Sequence, residues 1–230
     1  MIFAGIEKIS LVDYKDYLTC VVFTPGCNFR CPFCQNSSLV TSKGSAEIDE
    51  EEVLEYLEKK KKLLDAFGIT GGEPTLHKGI ERVYERVKEL GLKTKLDTNG
   101  TNPELVRRLI DRKLVDYVAM DIKNSFDDYL PIIGMKNFDL TPVKETAALL
   151  LENKTEYEFR TTLVKEFHTG RNIEQIGKDL KGAEKFFFQK FADKGTCLEE
   201  GLHACSDEQT EEFIKILSKY VKFVGKRGFD

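Results

Sequence analysis

The chain has 230 residues, 41% of them hydrophobic and 32% charged, with a formal net charge of −4. That length and apolar share suit one α/β domain with a full core, and the mixed charge, without a long block of one sign, points away from a nucleic-acid partner. No window is apolar for long enough to span a bilayer, and the start, Met1-Ile2-Phe3-Ala4-Gly5, lacks the basic-then-apolar pattern of a secretory signal, so the expected compartment is the reducing cytoplasm, without a membrane partner.

Taken in chain order, residues 18–23 (LTCVVF) read as a buried strand that enters a loop, 24–41, carrying three cysteines. Residues 48–64 put Val53, Leu54, Leu57 and Leu64 on one helical face, with acids in the first turn and the run Lys59-Lys60-Lys61-Lys62 near the end, where cations suit the helix dipole. Residues 66–70 form a short strand running into Gly71-Gly72-Glu73-Pro74. Residues 80–90 are helical and Gly91 stops them. Residues 92–96 form a strand ending in Asp97-Thr98-Asn99-Gly100. Residues 103–112 are helical, with proline in the first turn. Residues 117–120 are a strand ending in Asp121-Ile122-Lys123. A helix over 141–151, a strand over 156–164 that contains Arg160, a helix over 173–180, a strand over 185–191 and a last amphipathic helix over 208–221 complete the series. Strands and helices alternate in about six βα units, which predicts a parallel sheet with crossover helices, and the polar residues of interest follow the C-terminal ends of strands. The run Phe186-Phe187-Phe188 alternates through its strand and reads as core.

Six cysteines in a reducing compartment read as ligands, catalytic groups or small core residues. Three of them stand as Cys27-Asn-Phe-Arg-Cys31-Pro-Phe-Cys34. Thiolates so close on one loop can converge on one metal centre, and a cubane [4Fe-4S] cluster held by only three of them keeps one iron open to a small molecule. A structural zinc site would need a fourth ligand, and Cys20, Cys197, Cys205, His77, His168 and His203 are scattered rather than paired. The two glycines of Gly71-Gly72-Glu73-Pro74 allow a backbone to approach a ligand closely, and the carboxylate can accept from an ammonium group. Taken singly, this motif is also compatible with a tight turn, Asn99-Gly100 with an ordinary turn, and Asp121 with Lys123 as a surface ion pair.

Together the motifs resemble the radical S-adenosylmethionine (SAM) superfamily, whose signature is C-x3-C-x-aromatic-C with Phe33 at the aromatic position. The resemblance covers roughly residues 19–191. It implies a partial parallel (β/α)6 barrel forming a single domain over 1–230, with the core over about 18–191 and a C-terminal helical extension over 192–230. It implies one [4Fe-4S] cluster on Cys27, Cys31 and Cys34, with SAM on the open iron and the Gly71, Gly72, Glu73 segment at its amino group. The strand ends are similar to those of glycyl-radical-enzyme activases. By that similarity Asp97 and Asp121 help bind a monovalent cation next to the SAM carboxylate, and Lys123 and Arg160 contact SAM. The cluster-loop gap is short and carries no further cysteine, so a second cluster is not expected. The implied reaction is one-electron cleavage of SAM, fed by a flavodoxin- or ferredoxin-like donor, followed by hydrogen-atom abstraction from a glycine of a partner glycyl radical enzyme. The subgroup most resembled is the activating protein of anaerobic ribonucleoside-triphosphate reductase, with pyruvate formate-lyase activases near it. Two other readings stay open at this point. One is a small-molecule radical SAM enzyme of the 7-carboxy-7-deazaguanine synthase type; the other is a non-catalytic iron–sulfur or metal-binding module.

Overall fold

The computed structural model describes residues 1–41, 47–193 and 195–229. In chain order the elements are β1 (Ile2–Phe3), β2 (Gly5–Ser10), β3 (Thr19–Thr24), α1 (Ser37–Thr41), β4 (Ile48–Asp49), α2 (Glu50–Lys60), β5 (Ala66–Gly71), α3 (Ile80–Glu89), β6 (Lys93–Thr98), α4 (Pro103–Asp111), β7 (Tyr117–Asp121), α5 (Tyr129–Ile132), α6 (Thr141–Leu151), β8 (Glu156–Leu163), α7 (Gly170–Asp179), β9 (Lys185–Lys190), α8 (Asp207–Leu217) and β10 (Phe223–Arg227). Among the described residues, eight strands form one sheet in the order β10-β9-β8-β7-β6-β5-β3-β2. All neighbours are parallel except β2, which runs antiparallel to β3. This is the α/β sheet with crossover helices that the alternation predicts. No helix among the described residues is long and apolar enough to cross a membrane.

The strand pleat separates two chemistries. Phe67 and Ile69 on β5, Leu96 on β6, Val118 and Met120 on β7, Phe159 on β8 and Phe186 and Phe188 on β9 are buried in the core. The alternate positions carry Lys95 and Asp97, Asp121, Arg160 and Gln189, brought side by side by the register Asp121↔Arg160 and Thr162↔Gln189. The sheet curls around this polar face, since the segment following β2 (Asp13–Tyr17) and strand β10 (Phe223, Arg227) line one cavity.

Local chemistry sets the helix boundaries. Asp49 caps α2, Asn102 caps α4 and Pro103 opens it, and Ser206 with Gln209 forms a capping box on α8. Helix α7 starts at Gly170 rather than the expected 173, because Thr169 and Asn172 make a reciprocal cap. Two strands of the eight-stranded sheet were not anticipated, nor was the two-residue pair β1–β4, in which β4 takes Ile48 and Asp49 from the start of the helix expected over 48–64. β2 is largely exposed along an edge and therefore lacks a clean apolar alternation. β10 contains Gly225 and Lys226, yet pairs with β9 from Phe223↔Lys185 to Arg227↔Gln189. The segment after 192, expected as helical, thus holds a helix and then adds a strand to the sheet.

Candidate active site

The cysteine loop leaves β3 at Thr24 and is fastened by its neighbours. Gly72 N–H donates to Thr24 O at 2.9 Å and Glu73 N–H to Gly26 O at 2.8 Å. A Cβ on Gly72 would lie 1.9 Å from Gly26 O, and Gly71 sits at φ +117° with Thr24 backbone 2.3 Å from its would-be Cβ. The two glycines, expected to let a ligand approach, first of all let β5 approach the cysteine loop. Further along, Arg30 N–H donates to Ile133 O at 2.9 Å, and the Arg30 guanidinium donates to Cys27 O at 2.6 Å and Phe29 O at 2.7 Å. Gln35 reaches Ala192 O at 2.7 Å, Thr196 Oγ1 donates to Gln35 O at 2.8 Å, and Glu199 N–H donates to Pro32 O at 3.0 Å. Ala192, Thr196 and Glu199, which belong to no recognisable motif, therefore strap the loop down.

The three thiols line one cavity of about 290 Å3 at the C-terminal ends of the strands. Cys31 is buried and Cys27 and Cys34 are half-buried. Cys27 Sγ faces the Phe29 N–H at 3.4 Å and the Asn99 side-chain amide at 3.9 Å. Burial pushes the Cys31 thiol up to about 12 and raises Cys27 as well, while Lys123 pulls both the other way. Thiolates here need a cationic centre to offset their desolvation. Among the described residues no three His, Cys, Asp or Glu side chains gather to hold a single metal ion. Three sulfur donors standing around a shared cavity fit a multi-iron cluster with three thiolate ligands. Phe33 lines the same cavity, with its ring 6.0 Å from that of Phe167.

Glu73 is fully buried at the floor of the cavity. Its Oε1 accepts from Thr75 N–H at 3.0 Å, Thr75 Oγ1 at 2.5 Å and Thr98 Oγ1 at 2.7 Å, and its Oε2 accepts from Asn99 N–H at 2.6 Å. Burial raises this carboxyl above its ordinary range despite those four donors. The side chain expected to receive an ammonium group is already occupied with joining the ends of β5 and β6.

The strand-end charges form one chain across the barrel. Lys95 pairs with Asp97, Asp97 Oδ2 accepts from Arg160 at 3.0 Å, Arg160 Nε donates to Asp121 Oδ1 at 2.9 Å, and Lys123 donates to Asp121 Oδ2 at 2.9 Å. Burial alone would raise Asp97, but Arg160 and Lys95 outweigh it and hold the carboxyl below its usual range. Burial is likewise outweighed at Asp121, where Arg160 and Lys123 hold the carboxyl down at about 2. Burial would lower Lys123 and Arg160, yet the aspartates keep both well above their ordinary values. His168, buried, accepts no role in this chain but bonds Lys123 O through Nε2 at 3.0 Å, and so fixes the backbone that presents Lys123.

Every residue anticipated from the motifs, from Cys27 to Arg160, lines this single cavity. Lys95, Asn28 and Asn99 were not anticipated. Lys95 had a legible signal, since it lies two residues before Asp97 and shares its strand face. Asn28 had none, and Asn99 was legible only as part of the Asp97-Thr98-Asn99-Gly100 turn, because their bond to each other at 2.8 Å joins separate loops.

Comparison with known protein families matches residues 21–180 to the Radical SAM superfamily. The chain belongs to the radical SAM superfamily. Membership implies a [4Fe-4S] cluster and SAM. Within the superfamily, the chain is 33% identical over 227 residues to a protein of Methanocaldococcus jannaschii carried provisionally as a glycyl-radical enzyme activating enzyme, covering 95% of this chain and 92% of the relative. It is 27% identical over 247 residues to the pyruvate formate-lyase-activating enzyme of Staphylococcus aureus, covering 96% and 95%. These relatives put this radical SAM protein in the glycyl-radical enzyme activase family. In fold it is similar to Streptococcus suis SuiB bound to SAM, with a TM-score of 0.70 at 14% identity over 90% of this chain and 52% of that one. It is also similar to a domain of pyruvate-formate lyase-activating enzyme from Bacteroides vulgatus, with a TM-score of 0.57 at 18% identity over 70% and 98%.

Proposed function

We propose that residues 1–230 act as one radical SAM domain that takes a Cα hydrogen atom from a glycine of a partner glycyl radical enzyme, leaving a stored glycyl radical. The observation that carries this reading is the single cavity that collects three thiols, the Gly-Gly-Glu turn and the Asp–Arg–Asp–Lys chain. Cys27, Cys31 and Cys34 would hold one [4Fe-4S] cluster. When bound, the cluster and SAM supply one-electron cleavage of the sulfonium, giving methionine and a 5′-deoxyadenosyl radical that abstracts the hydrogen atom.

The chain's own part is to bind, orient and shield. Lys123 and Arg160 stand at the cavity wall with their charge held by aspartates, so they offer fixed donors to an anionic group such as the SAM carboxylate. Gly71 and Gly72 bring backbone to the cavity, and Phe33 closes one side of it with an apolar ring. Asp97 is the anion that aims Arg160. Shielding matters because a primary carbon radical attacks any C–H bond within reach. A reduced flavodoxin- or ferredoxin-like donor would supply the electron, which fits the cytoplasm. The partner we favour is anaerobic ribonucleoside-triphosphate reductase, and pyruvate formate-lyase is the alternative partner named by the Staphylococcus aureus relative.

The test is anaerobic. The reconstituted, reduced protein is mixed with SAM and each partner separately, and electron paramagnetic resonance is recorded. A glycyl doublet with the reductase supports the favoured partner, and a doublet with the lyase alone moves the assignment there. SAM cleavage without a doublet on either partner overturns both.

A further inference from the structure

The two aspartates expected to share a monovalent cation are already supplied with positive charge by the chain itself. Asp97 gives one oxygen to Lys95 and the other to Arg160 at 3.0 Å. Asp121 gives one to Arg160 and the other to Lys123, each at 2.9 Å. Two carboxylates thus face three cationic side chains. A sodium or potassium ion needs oxygens that are not already bonded to N–H donors, and adding one would place a further charge in a cluster that is positive and largely buried. The residues present do not fit that ion.

Of the three cationic side chains, Lys95 belongs to none of the motifs. It sits on β6 two residues before Asp97, so the pleat aims both side chains into the barrel. At 6% exposure its side chain is the most buried of the five in the chain of charges. It comes to Asp97 from beneath, where it lines cavities with Thr19 and Gly68 and with Tyr117 and Glu158, and it does not line the cavity that holds the thiols. A buried ammonium is kept only where a carboxylate repays its desolvation, and Asp97 is the carboxylate it contacts.

We propose that the Lys95 ammonium takes the place of the monovalent cation at Asp97, so that this protein builds its SAM site without sodium or potassium. The inference rests on the radical SAM reading and adds Lys95 to it as a positioning residue. Lys95 neutralises one oxygen of Asp97, which leaves the other to aim the Arg160 guanidinium at the cavity.

The test uses the cluster-loaded protein in choline chloride, with sodium or potassium chloride substituted at constant ionic strength. SAM binding, SAM cleavage under a chemical reductant and the Tm of the cluster-free chain are read in each salt. The wild type is expected to give the same values in all three. Lys95→Met is expected to bind SAM about tenfold more weakly in choline and to recover in sodium or potassium, which can enter the vacated place. Lys95→Arg, which keeps the charge, is expected to remain indifferent to the salt. The proposal is overturned by a wild type whose binding or Tm rises with sodium or potassium. It is also overturned by a Lys95→Met defect that no cation repairs, or by the absence of any defect in choline. Should Lys95→Met not fold, the wild-type salt series decides. A chain that cleaves no SAM in any salt overturns the functional reading, and the Tm series of the cluster-free chain still judges Lys95 separately.

Discussion

Glu73 and Asn99 tie two strand ends together, with Glu73 Oε2 accepting the Asn99 backbone N–H at 2.6 Å while the Asn99 side chain turns its amide toward Cys27 Sγ at 3.9 Å. The glutamate of the Gly-Gly-Glu turn therefore governs where Asn99, and through it one thiol, stands. In Glu73→Gln the remaining oxygen can serve the threonine donors, but an NH2 group would face the Asn99 N–H. We expect a loss of about 1–3 kcal/mol in urea denaturation of the cluster-free protein, together with lower iron uptake on reconstitution. Unchanged stability would show that Glu73 is not the tie described.

Gly72 has no room for a side chain, because a Cβ there meets Gly26 O at 1.9 Å. Gly72→Ala must push β5 and the cysteine loop apart. The expected cost is about 1–3 kcal/mol, and iron and sulfide per chain should fall because the loop that carries Cys27 is the part displaced. Chemical denaturation and metal analysis check the two effects separately.

Asp121 makes acid stability a test of the charge chain. Its carboxyl titrates near 2, below its ordinary value, so its contribution is complete above the unfolded-state pKa of about 3.9 and is lost as pH falls toward 2. Linkage puts that contribution on the order of 2 kcal/mol. The wild type should therefore lose more stability than Asp121→Asn between about pH 5 and about pH 2, a range that spans the unfolded value and reaches the folded one. Urea midpoints across that range measure it, and parallel curves for the two proteins would contradict the pairing.

The loop cysteine Cys31 and the strand cysteine Cys20 should separate by role. Cys31→Ala removes a thiol from the cavity and is expected to abolish the iron–sulfur spectrum. Cys20 is fully buried in the core of β3. Cys20→Ala should cost about 1 kcal/mol of stability and leave iron and sulfide content at the wild-type level.

Much of this was visible in the residue order. Each strand from β3 to β9 other than the short β4 was placed within two residues, because buried parallel strands are apolar runs and their helices show period 3.6. The edge strands β2 and β10 were not legible, since an exposed or glycine-containing strand has no apolar signature and gains its order from its neighbour. The strap made by Ala192, Thr196 and Glu199 was equally silent. It holds the cysteine loop through backbone and polar contacts such as Glu199 N–H to Pro32 O, which leave no pattern in sequence.

The order of residues by itself determined the chemistry available: three thiols on one loop, a Gly-Gly-Glu turn, and acids and bases at successive strand ends. These are local facts, carried by spacing and by the pleat. Only the tertiary structure decided how they are used, because pairing depends on strand register across the sheet. Register sets Arg160 between Asp97 and Asp121 and seats Lys95 beneath them, and the meeting of the β5 and β6 ends spends the Glu73 carboxylate on backbone N–H groups and threonine hydroxyls. Long-range geometry of that kind has no imprint in any short window of sequence.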